Sequence, residues 1–108
     1  MAYDEGLAAR VRDLVAGEPV VEKKMFGGLA FLVGGNMSVA ASGQGGLMVR
    51  VDPAQTEELV REPGVEVVEM RGRSMPGWLR VSASAVDDAA LKTWVDRGVA
   101  YARTLPPK

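Results

Sequence analysis

Between Lys24 and Arg50 the chain runs for 25 residues without a charge. That is long enough for a membrane helix, which needs about 20 apolar residues. Yet the stretch holds seven glycines, together with Asn36, Ser38, Ser42 and Gln44. Turn residues at that density cut an apolar run into extended pieces and leave no helix. No membrane span is expected. Residues 20–33 read as one strand rich in β-branched, aromatic and aliphatic side chains, with Gly27-Gly28 in its middle. Paired glycines inside a strand imply a bulge, a bend or the close approach of another backbone. Gly34-Gly35-Asn36 is a turn signal, and residues 37–42 alternate Met37, Val39 and Ala41 against Ser38, Ala40 and Ser42. After a second turn at Gly43-Gln44-Gly45-Gly46, Leu47, Val49 and Val51 fall on one face, with Met48 and Arg50 on the other. Three sequential strands with short turns form an antiparallel meander.

The flanks of this meander are helical. Residues 4–16 place Leu7, Val11, Leu14 and Val15 at helical spacing behind a capping Asp4, and Gly17 and Pro19 end the run. Asp52-Pro53-Ala54-Gln55 opens a helix expected to reach residue 62. Residues 65–70 and 78–83 read as two further strands, joined by a loop over 71–77. Ser84 is expected to cap a closing helix over 84–104, with an apolar stripe through Leu91, Trp94, Val95 and Val99. The order α-β-β-β-α-β-β-α excludes a doubly wound nucleotide fold, whose strands alternate with helices. It fits one two-layer α+β domain over residues 1–108, with an antiparallel five-stranded sheet and helices on one face. In residues 29–33 both alternating sets are apolar, so this strand lies between layers or meets a partner.

Composition removes most chemistry. His and Cys are absent, which excludes thiol nucleophiles, Ser-His triads, imidazole bases and zinc sites with nitrogen or sulfur ligands. Thirteen Lys+Arg against fourteen Asp+Glu leave a net charge of −1, without the basic excess of a nucleic-acid binder. The adjacent pairs Asp87/Asp88 and Glu57/Glu58 point in different directions on helices and suit helix N-terminal charge better than acid–base catalysis. The Gly43–Gly46 turn precedes a strand, which is the context of a hairpin and not of a phosphate loop. One segment is basic: Arg71, Arg73 and Arg80 lie with Trp78 in ten residues of charge +3. Such a cluster can hold an anionic ligand through a fork of guanidiniums, with Arg80 stacked on Trp78, or it can simply face water. Neither a cofactor nor a metal is expected. Alternation also brings Leu32 and Met48 to the uncovered face, where they would favour a weak homodimer.

Lys24-Met25-Phe26-Gly27-Gly28-Leu29-Ala30-Phe31, a Gly-Asn turn with Met37, and the strand Leu47-Met48-Val49-Arg50-Val51-Asp52 resemble the N-terminal domain of the TfoX/Sxy competence-regulator family. Its Met-Phe-Gly-Gly block is matched by Met25, Phe26, Gly27 and Gly28, and Met75, Trp78 and residues 94–102 resemble its downstream pattern. Asn36 and Arg50 stand where the family often has Lys. The resemblance implies a compact α+β domain similar to secretion-chaperone-like folds and no catalytic residues. It also implies a cytoplasmic regulatory or interaction module with a protein partner, since relatives act with a transcription factor. A small-anion binder or enzyme using Arg71, Arg73 and Arg80 is the alternative.

Overall fold

A computed structural model describes residues 4–25, 27–43, 45–70 and 72–107. Helix α1 (Glu5–Leu14) starts where Asp4 accepts a 3.0 Å hydrogen bond from the Leu7 N–H, and it buries Leu7, Ala8 and Val11. Four strands follow as an antiparallel meander: β1 (Val20–Met25), β2 (Gly28–Val33), β3 (Asn36–Ala41) and β4 (Leu47–Arg50). The hairpin β5 (Val65–Met70) and β6 (Arg73–Val81) then joins through β6 to β4, giving the order β1-β2-β3-β4-β6-β5.

The sheet therefore has six strands where five are expected from the sequence. The added one arises because residues 20–33 do not continue through the paired glycines but fold back as a hairpin. Gly27 takes φ +77°, a left-handed conformation that favours glycine. A Cβ on Gly28 would lie 2.3 Å from the Ala41 carbonyl oxygen, so only hydrogen fits where the next strand passes. The sequence-level expectation of a close backbone approach is correct, but its consequence is a turn.

Three other boundaries differ. The expected loop 71–77 is mostly strand, because Pro76-Gly77 kinks β6 without ending it. Gly77, at φ +87°, donates its N–H to Thr56 Oγ1 at 2.8 Å, and its carbonyl accepts from the Val51 N–H at 2.7 Å. The helix expected over 52–62 is a 3-10 turn, Pro53–Gln55, followed by the single-turn α2 (Thr56–Leu59). The closing helix α3 (Asp88–Thr104) is capped by Asp87, which accepts from the Ala90 N–H at 2.8 Å. Ser84 lies upstream in a separate 3-10 turn, Ala83–Ala85.

Alternation sorts the strands into two faces. Leu29, Phe31 and Val33 of β2 share one cluster with Val39, Leu47, Val49, Leu79 and Val81, and α1 and α3 cover it with Leu7, Val11, Leu91, Trp94 and Val95. Burying a side chain such as Phe31 completely is worth about 1.5–3 kcal/mol. The backbone of α3 comes unusually close to β3 at Gly98. Ser38 is an extra residue in β3, since Phe31 pairs with Val39 and Leu32 with Met37. Its hydroxyl donates to the Phe31 carbonyl at 2.8 Å, and its own carbonyl oxygen faces Gly98. Among the described residues, no helix is long and apolar enough to cross a membrane.

Candidate functional site: a trough on the open sheet face

Among the described residues the other face of the sheet has no helix over it, yet it is apolar. Ala30, Met37 and Ala40 form a second buried cluster, with Met25, Leu32, Met48 and Trp78 packed against it. The signal for this was visible in the alternation of β2 and β4, which brings Leu32 and Met48 to one side as expected.

Met25, Leu32, Met37, Met48 and Trp78 line a trough of about 490 Å³, a volume in the usual range of small-molecule sites. Its lining includes Lys23 and Met25 from β1 and Val68 from β5. Those strands lie at opposite edges of the sheet, which would be about 24 Å apart if it were flat, at 4.7–4.9 Å per strand. The sheet must therefore curl toward its open side. Met75, in the kinked part of β6, completes the lining.

Among the described residues two cations line this apolar space, Lys23 and Arg50. Arg50 pairs across the β4–β6 ladder with Trp78, so both side chains share the open face. Its guanidinium carbon lies 5.0 Å from the centroid of the Trp78 ring and 5.8 Å from that of Tyr101 on α3, both within cation–π range. Among the described residues neither Arg50 nor Lys23 has a carboxylate partner.

The arginine cluster singled out in the sequence is not assembled as a fork. Arg73 and Arg80 are seven residues apart on β6, up to about 23 Å along an extended strand. Arg80 lies across from Glu66 and lines a shallow acidic depression with Glu66 and Glu69, while Arg73 is exposed at the start of the strand. Arg71 lies outside the described residues. Trp78 does meet a guanidinium, but that of Arg50 and not that of Arg80.

The Met-Phe-Gly-Gly block builds the β1–β2 turn. Met25 lines the trough, Gly27 and Gly28 make the reversal, and Phe26 lies outside the described residues. The carboxylate pairs do not converge. Asp87 caps α3, and Asp88 binds Arg10 at 2.9 Å, while Glu57 and Glu58 are exposed on α2. Among the described residues, no group of three or more His, Cys, Asp or Glu side chains could hold a metal ion.

Neither a curated protein nor a solved structure matches this chain. A family model does: that of the TfoX N-terminal domain, over residues 12–102. This span runs from α1 through α3 and takes in all six strands and the whole trough lining. The chain belongs to the TfoX N-terminal domain family.

Proposed function

We propose that this domain is a non-catalytic regulatory module that acts in the cytoplasm by binding a protein partner over the open face of its sheet. The observation that carries this reading is the apolar trough lined by the half-buried Leu32, Met48 and Trp78, over which no helix lies among the described residues. Contiguous apolar surface of this kind marks interaction sites on soluble domains. Membership of the TfoX N-terminal domain family supports a regulatory or interaction role in general. Direct contact with nucleic acid is no part of the reading, because the net charge is −1.

Site-specific photo-cross-linking in the native host tests it. A photoreactive residue at position 32, on the open face, should give one discrete protein adduct, and Met48→Asp in the same chain should abolish it. The same residue at position 100, exposed on α3, should give none. No adduct from position 32, or identical adducts from both positions, would refute the proposal.

A further inference from the structure

We infer that the trough at the centre of the open face binds a small organic anion, an apolar chain or ring carrying one carboxylate. The inference rests on the reading that the open face is the working surface. Three observations favour this occupant.

The first is charge. Among the described residues the trough wall contains Lys23 and Arg50 and no acidic side chain, so its field favours a negative group. A guanidinium against aromatic rings keeps its in-plane N–H donors available while its faces are occupied, which suits bidentate recognition of a carboxylate. Arg50 is held this way by Trp78 and Tyr101, with no acidic partner among the described residues.

The second is the rest of the lining. Met25, Leu32, Met37, Met48 and Met75 offer thioether and aliphatic surface and no hydrogen-bonding side chain. Such walls favour the apolar body of a ligand, and flexible methionines adapt to its shape. Inorganic phosphate alone would leave this surface unsatisfied.

Shape is the third. The curled sheet makes the surface concave, so a second copy presenting the same concave face would not fill it. A small ligand does, and the volume of about 490 Å³ is of the size that such ligands occupy.

Decanoate, decanol and butanoate are the probes, titrated below their aggregation limits by calorimetry, with methionine and leucine methyl NMR to locate binding. Decanoate should bind about tenfold or more tightly than decanol, as expected for a charge-assisted hydrogen-bonded pair. Butanoate, which has the head but little body, should bind much more weakly. Met37 and Met48 methyls should shift while those of Leu7 and Leu91, across the sheet, stay in place. Arg50→Gln should remove the preference for decanoate and leave decanol within about twofold. Leu32→Asp should exclude decanoate, and far-UV circular dichroism should show both variants folded. Lys23→Gln, at an exposed edge position, provides a second variant and should weaken decanoate binding by a smaller factor.

Equal affinity for decanoate and decanol would overturn the inference, as would a preference that survives both Arg50→Gln and Lys23→Gln. Failure of all three probes would overturn it too, and sedimentation in the same buffer would then show whether a second copy seals the face. None of these failures touches the cross-link expected at position 32, so the two readings fall separately.

Discussion

Replacing Gly98 by alanine sets two well-understood effects against each other. On helix propensity alone, alanine is favoured over glycine by about 1 kcal/mol in a helix interior. At this position, however, a Cβ would sit 2.5 Å from the Ser38 carbonyl oxygen and 2.8 Å from Val39 Cγ1. Overpacking a filled core typically costs about 1–3 kcal/mol. The upper end applies here, because the nearest atom is main chain at a bulge tied down by the Ser38 hydroxyl and cannot rotate away. The expected net effect is a destabilisation of about 2 kcal/mol. For a domain of this size that lowers Tm by roughly 8 °C, taking the smaller end of the usual conversion. Urea unfolding followed by circular dichroism reads it. Ala100→Gly, on the exposed side of the same helix, is the control and should lose about 1 kcal/mol from propensity alone. A Gly98→Ala protein as stable as the wild type, or more so, would refute the packing argument.

Glu22 accepts two hydrogen bonds from Arg12, at 2.6 and 2.8 Å; these hold its carboxyl below the ordinary value of 4.5 against the opposing effect of desolvation, with a lesser contribution from the charge of the guanidinium. The stabilisation is present at neutral pH and lost as pH falls through the lowered folded value, so the gap between wild type and Glu22→Gln should close as the solution is acidified below the ordinary value of 4.5. A gap that stays constant on acidification would contradict the assignment. Asp87→Ala should cost about 1 kcal/mol through loss of the α3 cap, while Ser84→Ala should stay within about 0.5 kcal/mol; the reverse order in chemical denaturation would return the cap to Ser84. Mild peroxide should convert the half-buried Met48 and Met75 to sulfoxides before the more buried Met37, with the fold retained because the main core lies across the sheet. Peptide mass spectrometry checks the order, and unfolding in step with the first oxidation would count against it.

Local patterns in the sequence carry much of this architecture. Helix α1, the alternation of β4, and the common face of Leu32 and Met48 follow from spacing, but the alternation expected for β3 fails at the Ser38 bulge, which turns Met37 to the open face, away from Val39 and Ala41. Gly27-Gly28 reads equally well as a bulge or a turn, because the deciding contact is with Ala41, thirteen residues from Gly28. Pro76-Gly77 looks like loop punctuation but is a kink held by Thr56 and Val51, which no local pattern reveals. The candidate site has the same limit. Alternation puts Arg50 beside Met48, but its meeting with Trp78 depends on the β4–β6 register across 28 residues. Without that register, Trp78 is naturally matched to the nearer Arg80. The start of α3 is ambiguous in the sequence for a simpler reason: Ser84 and Asp87 are both good caps, and tertiary packing selects the second.

The strand order also divides the sheet by the way it is assembled. The pairings β1–β2, β2–β3, β3–β4 and β5–β6 each join neighbours along the chain, whereas β4–β6 joins strands separated by another. Pairing Leu47 with Val81 encloses more than thirty residues, so this seam carries the largest loop-closure entropy in the sheet. A four-stranded meander and a hairpin can each form from local contacts, and the seam then joins them. Arg50 contributes to the trough from one side of the seam and Trp78 from the other. The pocket is thus absent from either folding unit alone and comes into being only when the two dock.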